Sequence, residues 1–196
     1  VRPSDWSSPD PVRTPERTVK VDRAVRQRQQ GVVVLENIVD KHNAGAVLRC
    51  CEAFGIQQAH FVFTVEKPFS VRKKLRPSSA TANKWVDAFV HLSLTDCLDN
   101  LKSQGYRLLA TAVDERAQPL QAMDFTAYPK TALLFGNEHR GLSAHALAAA
   151  DQTVFVPMRG MVQSLNLSVT AALCLYEMTR QRTEAGFDRF ALPEGE

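Results

Sequence analysis

The chain has 196 residues, 44% hydrophobic and 23% charged, and its 24 Lys and Arg against 21 Asp and Glu give a formal net charge of +3. That length suits one well-packed domain with appendages rather than two independent cores. So slight a basic excess is no polyelectrolyte signature, and any affinity for nucleic acid has to come from where the basic residues sit. The four cysteines, Cys50, Cys51, Cys97 and Cys174, form no CxxC pair and have no histidine cluster beside them in sequence, so neither a disulfide framework nor a metal site is expected. No apolar run is long enough to span a bilayer, and the polar, proline-rich start is unlike a secretion signal. The expectation is a soluble, cytoplasmic protein.

Residues 1–16 carry Pro3, Pro9, Pro11 and Pro15 among serines and aspartates and read as a flexible leader. In residues 17–30, Arg17, Lys20, Arg23, Arg26 and Arg28 recur at mostly helical spacing with few apolar partners, which predicts a basic, solvated helix or arm. Val32 to Leu35 is a continuous β-branched and apolar run, the pattern of a strand buried on both faces of a parallel sheet, and Ala59 to Val65 is a second. Between them Asn43 to Phe54 puts Val47, Leu48, Cys51 and Phe54 on one helical face, with Asn43 as its expected N-cap and Gly55 as its stop. A basic loop region follows over Lys67 to Lys84. Further on come a helix at Thr95–Ser103, strands at Tyr106–Val113 and Thr131–Phe135, a short helix at Ser143–Ala149, a strand at Thr153–Val156 and a long helix from Asn166 to Glu184. The alternation predicts an α/β domain over residues 31–186, with a largely parallel sheet flanked by helices and a tail over 187–196.

In such a sheet ligands bind at the carboxyl ends of the strands, so the segments after the strands are the candidates for chemistry. Asn43 and Arg49 lie on the helix after the first strand, and Arg49 alone reads as a surface arginine. Gly136 to Gly141 is a glycine-bracketed loop where backbone can approach a ligand, and Glu138 stands within it. Val156 to Val169 offers a proline turn, Gly160, and then Ser164 and Asn166, either of which can cap the last helix. There is no Gly-rich dinucleotide signature, no GxSxG elbow and no carboxylate pair at metal spacing. The residues by themselves lead to an α/β protein with a polar ligand site on its last loops.

Taken together, His42-Asn43-Ala44-Gly45-Ala46-Val47-Leu48-Arg49, then Leu134-Phe135-Gly136-Asn137-Glu138 to Gly141, then Val156-Pro157-Met158 to Ser164-Leu165-Asn166-Leu167-Ser168-Val169 resemble, in order and spacing, the three motifs of the SPOUT superfamily. Within it the chain is similar to the TrmH-type (SpoU) tRNA and rRNA ribose methyltransferases over roughly residues 31 to 186. The resemblance implies a C-terminal deep trefoil knot, a homodimer formed through the last helix, and S-adenosylmethionine as cofactor. It implies that backbone groups near Thr111, Gly136, Val156, Met158 and Leu165 hold that cofactor while Ser164 and Asn166 shape the pocket. Arg49 would activate the ribose hydroxyl, with Asn43 and Asn166 completing the catalytic set, and Glu138 would organise the loops. Phosphate contacts would come from Arg17, Lys20, Arg23, Arg26, Arg28, Arg72, Lys73, Lys74 and Arg76, with no metal and no membrane involved. The implied reaction is 2′-O-methylation of RNA, first a D-loop guanosine of tRNA; rRNA, another tRNA ribose, or a non-catalytic RNA-binding role are the alternatives. Residues 187–196 stand where several tRNA enzymes of this type carry a further helical extension.

Overall fold

The computed structural model describes residues 14–71, 82, 85–162 and 164–193. Helix α1 (Pro15–Arg26) starts at Thr14, whose hydroxyl caps the Arg17 amide, and none of its residues is buried. Then come β1 (Gln29–Glu36), α2 (Lys41–Ala53), β2 (Ile56–Val62), β3 (Asp87–His91), α3 (Leu94–Ser103), β4 (Arg107–Thr111), β5 (Gln118–Pro119), β6 (Thr131–Phe135), α4 (Ala144–Ala149), β7 (Gln152–Phe155) and α5 (Leu167–Glu184). The strands form one sheet in the order β3-β2-β1-β6-β4-β7-β5, with every pair parallel.

The apolar run in β1 is explained by burial on both faces. Val33 and Leu35 pack with Val47, Leu48 and Cys51 of α2 and with Ala171, Cys174, Leu175 and Met178 of α5. Val32 and Val34 point the other way, into a core with Leu98 and Leu101 of α3 and Ala146 of α4. Alternate residues of one strand therefore serve two cores, and no polar face is left to interrupt the run.

Several boundaries differ from the sequence reading. The sheet starts at Gln29, before residue 31, and the helix of the basic segment ends at Arg26. Arg28 turns inward: it is 7% exposed, donates to the Ile56 carbonyl at 3.5 Å and pairs with Glu52 at 3.8 Å, which removes it from the phosphate-binding set. Arg17, Lys20, Arg23 and Arg26 are exposed on α1, while Arg72, Lys73, Lys74 and Arg76 lie outside the described residues. β2 begins at Ile56 because Gly55, at φ +73°, reverses the chain directly after α2; a Cβ there would meet the Gln27 carbonyl oxygen at 2.3 Å. Strand β3 carries no alternation that the sequence could betray, since an edge strand leaves much of both faces exposed. Asn43 does not cap α2; the Asp40 carboxylate does, accepting from the His42 amide at 2.7 Å. The tail is also less separate than expected. A 3-10 turn at Phe187–Phe190 buries Phe190 completely, and Ala191 bridges to Gln29.

Strand β7 lies between β4 and β5, two strands that follow one another in sequence. Thr111 and Gln118 both pair with Val154, so residues 112–117 have to cross β7 from one side to the other. They cross on the face of α3 and α4, where Asp114 accepts from the Thr153 hydroxyl at 3.2 Å, while the chain leaving β7 runs on to α5, which packs on the opposite face.

Arg182 of α5 is fully buried with no carboxylate partner among the described residues. Its guanidinium donates to Gln29 Oε1 (2.9 Å), the Gln30 carbonyl (3.3 Å), the Pro129 carbonyl (3.0 Å) and Thr131 Oγ1 (2.9 Å), and lies 4.9 Å from the Phe190 ring centroid. Burial lowers its pKa to about 10, so it stays charged at neutral pH. It binds the starts of β1 and β6 to the C-terminal helix and tail. Arg182→Met keeps the bulk but strands those acceptors; it should lower unfolding free energy by about 3 kcal/mol, read as a reduced urea midpoint with little change in slope.

Candidate active site

The carboxyl ends of β4, β6 and β7 open into one cleft of about 590 Å³. Thr111, Gly136, Val156, Met158, Ser164, Leu165 and Asn166, the residues expected around the cofactor, all line it, as do Asn43 and Glu138. Arg49 does not. It sits six residues beyond Asn43 on α2, about 9 Å along the helix axis, exposed and without a hydrogen-bond or ion-pair partner among the described residues.

One carboxylate fixes the rim. Glu138 accepts from the backbone amides of Val39 and Asp40, both at 3.1 Å, and from Asn43 Nδ2 at 3.2 Å. Asn43 Oδ1 in turn accepts from Asn166 Nδ2 at 2.9 Å, and Asn166 caps α5 by accepting from the Ser168 amide at 2.8 Å. Three segments distant in sequence are joined through Glu138, Asn43 and Asn166. Asn166 is thus the cap of α5, and Ser164 lies free on the cleft wall.

Two further asparagines hold the loops from below, and the sequence reading did not single them out. Asn37 has φ +53°, a backbone state that asparagine adopts more readily than most residues, and its Oδ1 accepts from the amides of Thr64, Val65 and Glu66. Asn137 donates to the Asn37 carbonyl at 2.7 Å and accepts from the His139 and Arg140 amides. An asparagine one residue past β1 and another two residues past β6 were the available signal. Gly136 is required here by contact: a Cβ would lie 2.1 Å from the backbone of Gly141 and Leu142, because Asn137 and Gly141 close the loop with paired backbone hydrogen bonds.

The segment Met158–Val162, with Ser164 and Leu165, forms no helix or strand and makes no hydrogen bond to other protein groups among the described residues. Its main-chain donors and acceptors are therefore available to a ligand. The remaining walls mix apolar side chains with main chain, a lining and size suited to a purine nucleoside with a short polar chain.

An open parallel sheet with its ligand cleft at the carboxyl edge, its rim tied by Glu138, Asn43 and Asn166, defines the general class: an α/β protein that holds a small molecule across a strand crossing. The chain matches the SpoU rRNA Methylase family over residues 30–176 and belongs to that family. It is 41% identical over 179 residues to the tRNA (guanosine(18)-2′-O)-methyltransferase of Thermus thermophilus, covering 90% of this chain and 89% of that one. The crystal structure of the A. aeolicus TrmH/SpoU tRNA modifying enzyme superposes with a TM-score of 0.81 at 30% identity, over 92% of this chain and 90% of that one. The SpoU methyltransferase AviRb from Streptomyces viridochromogenes, crystallised in complex with AdoMet, superposes with a TM-score of 0.70 at 28% identity, over 84% of this chain and 65% of that one.

Removing the Glu138 carboxylate would leave two amides and the Asn43 side chain short of an acceptor. Glu138→Ala should cost about 1 to 2 kcal/mol of stability, visible in thermal unfolding. Amide hydrogen exchange should rise at Val39 and Asp40 while the central strands stay protected.

Proposed function

We propose that this chain transfers the methyl group of S-adenosylmethionine to the ribose 2′-hydroxyl of a tRNA guanosine, at position 18 in the D-loop, as its Thermus relative is named to do. The observation that carries this reading is the convergence of the Asn43, Glu138 and Asn166 segments on one cleft. S-adenosylmethionine supplies an electrophilic methyl on a sulfonium centre. The protein's task is then to position an oxygen in line with it and to move one proton, with the Asn43–Asn166 pair fixing the rim where the ribose would arrive.

Arg49 is the residue for the hydroxyl, acting by charge on the ribose and its phosphate or as the proton acceptor. Its own protomer offers it no place in the cleft. Val169, Leu173 and Tyr176 recur at helical spacing on α5, exposed, and Phe54 at the end of α2 meets Tyr176 edge-on at 6.3 Å. A homodimer through this α2–α5 face would cover that stripe and carry Arg49 to the partner's cleft. The crossing of residues 112–117 over β7 supports the deep trefoil knot implied by the family resemblance. The exposed basic side chains of α1 offer phosphate contacts. No described helix is long and apolar enough to cross a membrane, and with tRNA as substrate we read the reaction as cytoplasmic.

Incubation with tritiated S-adenosylmethionine and unmodified tRNA transcript, followed by nuclease mapping, should put the label on the ribose of guanosine 18. Label on rRNA or another tRNA ribose would move the target, and no transfer to any RNA would reject the reading. Arg49→Ala should reduce turnover at least about a hundredfold while calorimetry shows cofactor affinity unchanged. Gly136→Ala should do the converse first, weakening cofactor binding by about tenfold or more because the Asn137–Gly141 turn has to open.

A further inference from the structure

On the far half of the sheet, away from the cleft, three side chains meet that lie on three different elements. The register pairs His60 with Phe89 and Val62 with His91, so His60 of β2 and His91 of β3 are diagonal neighbours on one face. Helix α3 starts soon after β3, packs back over that face and sets Cys97 against them. His60 Nδ1 is 3.0 Å from His91 Nε2 and 3.9 Å from Cys97 Sγ, and the three donor atoms all lie within 4.8 Å of one another. Among the described residues this is the one such grouping.

A purely structural role accounts poorly for it. His60 is 5% exposed, and its Nε2 has no hydrogen-bond partner among the described residues, so the residue bears the cost of a buried polar group that an apolar side chain would avoid. Two imidazoles and a thiol form a nitrogen–sulfur donor set suited to zinc. In a tetrahedral site with metal–nitrogen bonds of about 2.0 Å and a metal–sulfur bond of about 2.3 Å, neighbouring donors stand about 3.3 to 3.6 Å apart. The spacings here straddle that range.

We propose that His60, His91 and Cys97 bind a zinc ion that fastens the edge strand β3 to β2 and α3, with water completing the coordination from the solvent side of half-buried His91. Binding exchanges the thiol proton for the metal: the Sγ–H bond breaks, Sγ bonds zinc, and one proton goes to solvent, with no change of oxidation state. Burial keeps the free Cys97 thiol protonated, its pKa pushed up to about 12, and holds both imidazoles neutral with lone pairs to give. Asp96, next to Cys97, provides negative charge near His91. The sequence hides the site, because its ligands come from two strands and a helix and show none of the close spacing of zinc motifs.

The test uses metal-stripped full-length protein without a histidine tag, titrated with Co2+. A thiolate-to-cobalt charge-transfer band should appear in the near ultraviolet and saturate at one ion per chain. Zn2+ should abolish it and raise the melting temperature. Cys97→Ser and the milder His91→Gln should each lose the band and the zinc-dependent shift while keeping the far-ultraviolet circular dichroism of the wild type. No band in the wild type, or a band that survives His91→Gln, would overturn the proposal; if Cys97→Ser fails to fold, His91→Gln decides alone.

Discussion

The constraint on which the molecule depends is the place of β7 between β4 and β5. Parallel pairing on both sides of β7 leaves a linker of only six residues, 112–117, to pass over it. That linker fixes where the chain can leave the sheet. The exit segment comes out beside the ends of β4 and β6, so three unrelated loops are brought to one edge and a cleft results. Folds generally avoid threaded connections because long-range contacts have to form before they are rewarded. Here the passage of residues 112–117 over β7 is what assembles the ligand site, and the cleft cannot exist before β7 is in place.

Glu138, Asn37 and Arg182 are each held by hydrogen bonds to neutral groups rather than by an opposite charge. Glu138 is satisfied by two amides and a side-chain amide, Asn37 by three amides, and Arg182 by carbonyls, a side-chain amide and a hydroxyl. Such arrangements are directional, and each specifies a loop path that an ion pair of comparable strength would specify less sharply. Arg182 and Glu138 act at opposite ends of the strands. The first closes the amino edge against the C-terminal helix; the second shapes the carboxyl edge where ligands bind. Substitution at one should therefore add to substitution at the other with little coupling.

Where burial is two-sided the sequence displays its structure openly. β1 and β6 are legible because each contains a continuous apolar run, Val32–Leu35 and Ala132–Phe135, and α2, α4 and α5 because their caps or stops, Gly55, Ser143 and Asn166, stand where the elements begin or end. β3 and β5 are not legible, since edge strands need neither alternation nor apolar runs. Arg28 misleads for a related reason: a long cation beside a helix reads as solvated, and only tertiary contacts reveal that it turns onto the Ile56 carbonyl. The cleft residues were reachable through the family motifs. From physics alone, Met158 and Leu165 look like ordinary apolar residues, because it is their main chain that matters. The asparagine network was hidden for the opposite reason, as a cap and a turn residue are each sufficient explanations until the fold shows them bonded to one another.

The position of Arg49 bears on its chemistry. A guanidinium has a pKa above 12, and a solvated one cannot take a proton from a hydroxyl at useful rates. Arg49 is exposed, and the change it works on the neighbouring Cys50 thiol, drawing its pKa down against the larger upward push of burial, is that of an ordinary surface cation. A base role requires the group to be desolvated, and this protomer alone does not provide that. Pairing of the α2–α5 faces and arrival of an RNA phosphate would together remove water from Arg49 while supplying a negative charge beside it. Desolvation lowers the pKa of an arginine, whereas a phosphate raises it. The two effects oppose, so under the proposed reaction Arg49 would act by charge, binding the phosphate and stabilising the developing alkoxide, while the proton would leave through that phosphate or water.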